Sequence, residues 1–286
     1  MSLLNSIISI ILPTFNEEEN INSLIQRLLS FSDLYDIEIL VVDDNSTDGT
    51  TSLVRELSQK DKRVRLLNRI DRSGLSSAIK EGVLNATGEI IAIMDSDGQH
   101  EPVAIIKAIK ELESNNLDLV IGSRFLKESN LIGLSPRRQK GSTLANKLAS
   151  LSLHKNYFHI TDYMSGCICL KRNSCIDFVR RIDSNGFKFL YELLGISNGR
   201  LRVKEIAIDF QSRQYGKSKL DVSILWDFLI SLLHTISGKL FPRRAVSFAL
   251  VGFSGIFVQL IVTEIFINYL DIGFESALPF SVLIAA

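Results

Sequence analysis

Short apolar runs and longer segments with helical periodicity alternate along the first part of the chain. A helical pattern separates each run from the next, and the connecting stretches are short. This alternation predicts an α/β fold with a mostly parallel sheet and helices on both faces. The runs with the length of buried strands are Ile7–Leu12, Ile37–Val42, Val64–Leu67, Ile90–Met94 and Leu117–Ile121.

The alternation loosens after the fifth run. The stretch Lys127–Gly141 is polar and basic and predicts a loop, and a run of charges is usually a solvated face. Further on, the pattern predicts a strand at Cys167–Leu170, helices around Ser174–Ile182 and Phe187–Ile196, and a last strand at Val203–Phe210.

The C-terminal part of the chain is strongly apolar. Residues 221–237 carry a polar side chain at every third or fourth position of an otherwise apolar helix. This predicts an amphipathic helix at a membrane interface, with an ordinary core helix as the alternative. Ala245–Leu270 contains one charged residue, Glu264, and is long enough for a transmembrane helix. Arg243 and Arg244 precede it and predict that this end is cytoplasmic.

Both ends of the sequence predict where the protein lies in the cell. A second apolar run begins near Ala277 and continues to Ala286, so we expect a multi-pass protein of the cell (inner) membrane whose membrane domain extends further. Ile7–Leu12 is too short for a cleavable signal and has no basic region before it, so the first domain is expected in the cytoplasm. The expected domains are an α/β domain, interfacial helices and a membrane region: 1–220, 221–240 and 241–286.

Charge and cysteine content exclude some classes of function. Lysine plus arginine equals aspartate plus glutamate, at 32 each, so the net charge does not indicate a nucleic-acid partner. Cys167, Cys169 and Cys175 lie close together, but a zinc site needs a fourth ligand and the sequence has no second cysteine pair or matching histidine pair. We expect free thiols in a reducing compartment.

Two carboxylates end the apolar run Ile90–Met94. In an open α/β sheet, ligands bind at the carboxyl ends of the strands, which is where Asp95 and Asp97 are expected. Two neighbouring anions repel each other unless a divalent metal joins them to an anionic ligand. Gln99 adds a neutral oxygen ligand. A lone D-x-D is more often a polar turn, so the metal prediction depends on the motifs around it.

Those motifs are specific when they are taken together. They are P-T-F-N-E at 13–17, V-D-D-N-S-T-D-G-T at 42–50, G-L-S-S-A at 74–78, D-S-D-G-Q-H at 95–100, G-S-R at 122–124, M-S-G at 164–166 and R-Q-Y-G-K-S-K-L at 213–220. With them, residues 6–220 resemble the family 2 glycosyltransferases of the GT-A fold, in particular the polyprenyl-phosphate sugar synthases of the dolichol-phosphate mannose synthase type. The tail resembles the GtrA-like membrane domain that some of these enzymes carry.

The resemblance implies roles for individual residues. The positions that match the family's nucleotide-binding residues are Pro13, Phe15, Glu17, Asp44 and Asp95. Those that match its metal site, for Mg²⁺ or Mn²⁺, are Asp95, Asp97 and Gln99. Those that match the acceptor-phosphate site are Arg124, Arg138, Ser142 and Arg213, and the catalytic set is Asp97, Arg124 and Arg213.

The expected reaction follows from this resemblance. A polyprenyl phosphate attacks the anomeric carbon of a nucleotide sugar, GDP-mannose or UDP-glucose, and the anomeric centre inverts in one displacement. A phosphomonoester is already ionised near neutral pH and needs no general base. Two alternatives stay open. One is a polysaccharide-elongating family 2 transferase, although its Q-x-x-R-W signature is not found here. The other is a non-catalytic nucleotide-sugar-binding scaffold or flippase component.

Overall fold

The computed structural model describes residues 7–72, 74–129, 136–183, 188–211, 222–238, 240–270 and 272–285. Two compact units make up the chain, residues 1–224 and residues 225–286. Each unit is considered separately.

A seven-stranded sheet runs through the described part of the first unit. Its strands are β1 (Ile8–Thr14), β2 (Ile37–Asp43), β3 (Val64–Asn68), β4 (Ile90–Ile93), β5 (Leu119–Ser123), β6 (Ile168–Lys171) and β7 (Val203–Ala207). Their order across the sheet is β3-β2-β1-β4-β6-β5-β7. All neighbouring pairs are parallel except those made by β6, which is antiparallel to both β4 and β5. The predicted α/β class with a mostly parallel sheet is therefore confirmed.

Helices cover both faces of this sheet. They are α1 (Glu18–Leu29), α2 (Thr50–Lys60), α3 (Leu75–Asn85), α4 (Val103–Ser114), α5 (Pro136–Ser152), α6 (Arg172–Arg180) and α7 (Phe189–Ser197). Successive residues of β1 point to opposite faces. Ile10 and Leu12 belong to the core that α1 and α4 complete. Ile11 faces the other way and lies so close to Gly82 of α3 that an added Cβ there would overlap it.

Continuous apolar runs made these strands recognisable. β1, β2 and β4 are buried along their whole length, and a strand buried on both faces has no alternating pattern. Two expectations were wrong. β7 ends at Ala207, and Phe210 makes only an isolated bridge with His100. The stretch expected as a loop up to Gly141 is helical from Pro136 onward, because proline suits the first turn of a helix and lysine and glutamine are good helix formers.

The second unit contains three helices in its described residues. α8 (Val222–Ile236) begins just before it, and α9 (Arg243–Leu270) and α10 (Phe274–Ala285) follow. On α8, Trp226 and Leu229 are exposed and Ser231 is buried, so its polar positions do not form one exposed stripe. α9 and α10 are joined by a hydrogen bond of 2.7 Å from the Thr263 hydroxyl to the Ser281 hydroxyl.

α9 is long and apolar enough to cross a membrane. It has 28 residues with a mean hydropathy of 2.2 in its most apolar window, and none of that window is buried. In the described ranges it is the one helix that meets this criterion. α10 has 12 residues, fewer than the about 20 that a span needs. The multi-pass topology expected from the sequence is therefore not supported.

Candidate functional site

The loop after β4 carries the two carboxylates of the D-x-D motif at the carboxyl edge of the sheet. The Ser96 hydroxyl holds this loop by donating to the carbonyl oxygen of Pro13 on β1, 2.8 Å away. The Asp97 carboxylate accepts a hydrogen bond of 3.1 Å from the backbone N–H of Gln99. The predicted metal ligands, Asp95, Asp97 and Gln99, therefore share one short loop that is fixed to the neighbouring strand.

Asp95 lies in a positively charged environment. Its carboxylate is 3.8 Å from Nε2 of His100, whose ring packs edge-on against Phe210 with centroids 5.1 Å apart. Burial alone would raise the pKa of Asp95. The nearby His100, with the charges of Lys188 and Arg124, outweighs burial and holds this pKa below its ordinary value. Asp95 is thus ionised near neutral pH, as a metal ligand must be.

The groups in this loop fit a divalent cation that is shared with a substrate diphosphate. Nε2 of Gln99 donates to the carbonyl oxygen of Gln211 at 3.0 Å, so the amide oxygen of Gln99 is the atom that would meet a metal. Within the described ranges, no group of three or more His, Cys, Asp or Glu side chains could hold a metal by itself. Mg²⁺ typically binds through one or two carboxylates plus substrate phosphates, and Asp95 and Asp97 match that arrangement. The metal role of these residues stays a prediction.

Arg124 is held firmly near this loop, where the charges of Asp95 and Asp97 act on it. Its Nε and Nη2 donate to the two carboxylate oxygens of Asp162, at 2.7 and 2.9 Å. Its guanidinium also lies over two rings, 5.6 Å from the centroid of Phe125 and 5.3 Å from that of Phe210. The two hydrogen bonds to Asp162 and the two aromatic contacts together fix the orientation of the guanidinium. The positively charged side chain of Arg124 is therefore already ordered before a ligand arrives.

The Glu205 carboxylate stabilises the segment that contains Asp162, the partner of Arg124. The Glu205 carboxylate on β7 accepts hydrogen bonds of 2.9 Å from the backbone N–H groups of Thr161 and Asp162. The Thr161 hydroxyl in turn shares a hydrogen bond of 2.7 Å with the Ser123 hydroxyl at the end of β5. Burial raises the pKa of Glu205, and the charge of Asp162 adds to this, although these hydrogen bonds oppose it. The segment that holds Arg124 is thus anchored to β5 and β7.

Lys188 is a cation of the site that sequence reasoning missed. It immediately precedes α7, and its charge acts on Asp95, Asp97 and Asp162. Burial lowers the pKa of Lys188 and the nearby carboxylates partly restore it. No local pattern marks Lys188 in the sequence, because it reaches the site only through the position of α7.

The predicted nucleotide-binding residues gather at the ends of β1 and β2. The two strands are paired in register as far as Thr14 and Asp43, and the backbone N–H of Asp44 donates to the Thr14 carbonyl oxygen at 2.9 Å. Pro13 is therefore close to the Asp44 backbone, and the half-exposed ring of Phe15 follows at the surface. The fold brings these predicted residues to one edge, and their roles stay predictions.

The turn between β1 and α1 does not use its asparagine as a helix cap. Asn16 has a left-handed φ of 54°, and Glu17 is the N-cap residue. The side-chain oxygen of Asn16 accepts a hydrogen bond from the Thr47 backbone N–H at 2.9 Å. Asparagine tolerates left-handed φ better than most residues, so Asn16 joins the two loops. Glu17 accepts a hydrogen bond of 2.8 Å from the Asn20 amide.

Asp44 is paired with a buried arginine that sequence reasoning also missed. Arg69 follows β3, is 1% exposed and forms an ion pair with Asp44. It also donates to the Ser77 hydroxyl at 2.5 Å, and the other Asp44 oxygen accepts from the Gly74 backbone N–H at 2.8 Å. Burial raises the pKa of Asp44 even though Gly74 and Arg69 stabilise its charged form. The one available signal was that Arg69 directly follows a strand at this edge.

The structure describes the rest of the predicted acceptor site only in part. Arg138 and Ser142 both lie on α5, where the side chain of Arg138 is not described and Ser142 is half-buried. Arg213 lies outside the described residues. Of the four predicted acceptor-phosphate residues, the side-chain contacts of Arg124 are therefore the best characterised.

The three cysteines are free and buried. Burial raises the pKa of the Cys167 thiol to about 12 and that of the Cys175 thiol to about 12, and it raises the Cys169 pKa well above its ordinary value. Such thiols are poor metal ligands and nucleophiles, which agrees with the expectation of free cysteines.

Comparison with known proteins identifies relatives. A family model described as glycosyl transferase family 2 matches residues 9–178. The chain is 33% identical over 266 residues to a dolichol-phosphate mannosyltransferase of Pyrococcus furiosus, and the alignment covers 91% of this chain and 72% of that protein. It is 31% identical over 236 residues to a dolichol-phosphate mannosyltransferase of Mycosarcoma maydis, covering 79% and 77%.

Solved structures support the same fold. The glucosyl-3-phosphoglycerate synthase of Mycobacterium tuberculosis, in complex with Mn²⁺, UDP and glucosyl-3-phosphoglycerate, superposes with a TM-score of 0.61 at 18% identity, covering 82% of this chain and 81% of that one. At this identity the likeness concerns the fold alone. The family model covers more than half of the chain and agrees with the two relatives, so the chain belongs to glycosyl transferase family 2.

Proposed function

We propose that this glycosyltransferase transfers a hexosyl group, mannose or glucose, from a nucleotide sugar to a polyprenyl phosphate. The observation that carries the proposal is the pairing of an acidic loop, Asp95–Gln99, with the partly buried cations Arg124 and Lys188 at one edge of the sheet. A donor diphosphate and an acceptor phosphate are both anionic. Two anionic substrates repel each other, and metal ligands and fixed cations that lie together offset this repulsion. The names of the two relatives support the lipid phosphate as acceptor.

The nucleotide would bind along the ends of β1 and β2. The exposed ring of Phe15 offers a face for stacking, and Glu17 and Asp44 offer carboxylates that accept hydrogen bonds from the base or the ribose hydroxyls. The diphosphate would then extend toward Asp95 and Asp97. A divalent metal, Mg²⁺ or Mn²⁺, held there would neutralise the charge on the leaving diphosphate.

The acceptor phosphate would lie against Arg124. We propose that Arg138, Ser142 and Arg213 complete its binding site, and that Asp97, Arg124 and Arg213 form the catalytic set. Because the phosphate oxygen is already charged, it attacks the anomeric carbon without a general base. A single displacement, in which the nucleoside diphosphate leaves from the opposite side, inverts the anomeric centre.

The second unit supports a membrane location. The most apolar window of α9 has no buried residue, and Arg243 and Arg244 at the start of this helix favour the cytoplasmic side for that end. We propose that 1–220 is the catalytic domain, that 221–240 lies at the membrane interface and that 241–286 is a GtrA-like membrane region. The catalytic domain would then act at the cytoplasmic face of the cell membrane.

The test is a donor panel. Membranes that contain the chain are incubated with polyprenyl phosphate and, separately, with radiolabelled GDP-mannose and UDP-glucose, and the organic extract is analysed for a labelled lipid phosphate sugar. We expect one donor to label the lipid. Label that enters only a polysaccharide, or that binds without any transfer, would contradict the proposal.

A further inference from the structure

The motif V-D-D-N-S-T-D-G-T forms the 42–50 loop, which follows β2 and contributes Asp44 to the predicted nucleotide site. Other polar residues of this loop bind the 14–18 loop, which follows β1. The 14–18 loop carries Phe15 and Glu17, which are also predicted to bind the nucleotide. The hydrogen bonds between the two loops therefore bear on how the donor site is arranged.

A buried threonine holds the backbone at Glu17. The Glu17 N–H donates to the Thr50 hydroxyl oxygen at 2.9 Å, and this hydroxyl donates to the Asp48 carboxylate at 2.5 Å. Thr50 is 0% exposed. Burial raises the pKa of Asp48, but the hydrogen bonds from Thr50 and from the Glu18 backbone hold it below its ordinary value. Asp48 is thus a charged acceptor, which leaves the Thr50 oxygen free to accept from Glu17.

A second chain of hydrogen bonds, of the same kind, holds Asn16. Its backbone N–H donates to the Ser46 hydroxyl oxygen at 2.8 Å, and the Ser46 hydroxyl donates to the Asp43 carboxylate. Asp43 ends β2, is 0% exposed and also accepts from the Thr51 hydroxyl at 2.5 Å. Two successive backbone N–H groups of the 14–18 loop are therefore each bound to a hydroxyl that is itself fixed by a carboxylate.

The 14–18 loop has a backbone conformation that needs such support. Asn16 lies between Phe15 and Glu17 and has a left-handed φ of 54°. A residue other than glycine keeps this conformation when its surroundings stabilise it. Rotation about φ at one residue changes the relative direction of its two neighbours, so the conformation of Asn16 determines how Phe15 and Glu17 face a ligand.

We propose that Ser46 and Thr50 are positioning residues of the donor site, whose hydroxyls hold the 14–18 loop so that Phe15 and Glu17 face the nucleotide before it binds. The inference rests on the proposed function and extends it from the groups that meet the nucleotide to those that place them. A loop that is ordered in advance loses less conformational entropy on binding, which raises the affinity for the donor. The effect is confined to the donor, because these hydroxyls hold only the nucleotide edge.

Two variants of the full chain each remove one hydroxyl, Thr50→Val and Ser46→Ala. We expect each to raise the KM for the nucleotide sugar about fivefold, the size of effect that one lost hydrogen bond typically has, while the KM for the lipid phosphate stays unchanged. Thr50→Ser keeps the hydroxyl and should keep the wild-type values. Ser58→Ala is the matched control, because the Ser58 hydroxyl lies on the same helix, α2, and donates to the Arg55 carbonyl oxygen.

Thermal unfolding of each variant is measured alongside, because a purely structural role would give a different pattern. If Thr50→Val lowered the Tm and raised the KM for both substrates alike, the proposal would be overturned. It would also be overturned if Thr50→Ser behaved like Thr50→Val, or if the donor KM stayed unchanged in both Thr50→Val and Ser46→Ala.

Isothermal titration calorimetry with GDP and with UDP, in the presence of Mn²⁺ and without acceptor, separates this proposal from the proposed function. Nucleotide binding that Thr50→Val and Ser46→Ala weaken, in a chain that transfers no sugar to lipid phosphate, would support the positioning role and refute the function. Transfer by the wild type, with the same nucleotide Kd in all variants, would refute the positioning role and leave the function standing.

Discussion

The backbone of Gly166 lies directly against the carboxylate of Asp95. A Cβ added at Gly166 would overlap all three atoms of that carboxylate well inside van der Waals contact. Asp95 has a short side chain and His100 lies 3.8 Å from its carboxylate, so it has little room to move away. The glycine of the M-S-G motif therefore makes room for a predicted metal ligand.

Gly166→Ala should displace Asp95 and lower the rate of sugar transfer at least about tenfold, since small displacements of a catalytic group have effects of this order. The mutant should also need more Mn²⁺ for half-maximal activity. Gly252→Ala on α9, where an added Cβ meets nothing within 4 Å, is the control. If Gly166→Ala kept the wild-type metal requirement, the packing of Gly166 would not determine the position of Asp95.

Arg69 is expected to position Asp44 for the nucleotide. Arg69→Met removes the buried partner of that carboxylate, so the KM for the nucleotide sugar should rise about tenfold while the KM for the lipid phosphate stays unchanged. Arg180→Met is the control, because Arg180 is exposed on α6 and pairs with Asp177. If Asp44→Asn raised the KM for the nucleotide sugar and Arg69→Met did not, Arg69 would have only a structural role.

The Asp118 carboxylate should make stability depend on pH in the acid range. The hydrogen bonds from Arg202 are the main cause that lowers the pKa of Asp118 from 3.8 to about 2, against the opposing effect of burial. A lowered folded-state pKa contributes stability that is present above about pH 4 and is lost as the pH falls toward 2.

Asp118→Asn should accordingly reduce the free energy of unfolding at pH 7 by about 1 to 2 kcal/mol, after allowance for the solvent exposure of Arg202. Denaturant unfolding followed by circular dichroism measures this, with the exposed Asp71→Asn as control. The difference from wild type should disappear near pH 2. A difference that was as large at pH 2 as at pH 7 would exclude the charge of Asp118 as its cause.

The three thiols should be inert in the folded protein. Burial raises the pKa of each, and the thiolate is the reactive form. Titration with a disulfide reagent at pH 8 should detect no thiol in the native chain and three after denaturation. Fast reaction of one cysteine in the native state would mean that it is accessible and ionised.

The sequence predicted the sheet well where burial alone determines the pattern. The strand at Ile90–Met94 and the carboxylates after it were recognisable, since an uncharged run that stops at two aspartates is typical of a buried strand that ends at the edge of a sheet. The antiparallel direction of β6 was not predictable, because side-chain periodicity is the same for both directions. α5 was missed because its positive charges and small residues hide the helical pattern.

The site residues that sequence reasoning missed act through tertiary contacts. Lys188 reaches Asp95 only because α7 packs against α3 and α6, and Arg69 reaches Asp44 across neighbouring strands. The left-handed conformation of Asn16 accompanies its hydrogen bond to Thr47 in another loop. Local sequence preferences do not predict these tertiary contacts.

The most direct test of the account is metal-dependent transfer by the purified chain. The protein is treated with a chelator and assayed with polyprenyl phosphate and the donor that labels lipid in membranes, before and after Mg²⁺ or Mn²⁺ is restored. Asp97→Asn is assayed in parallel. We expect that wild-type transfer is lost on chelation and returns with metal, whereas Asp97→Asn forms less than about 1% of the lipid-linked sugar in either condition. Full activity of the chelated wild type, or of Asp97→Asn, would contradict it.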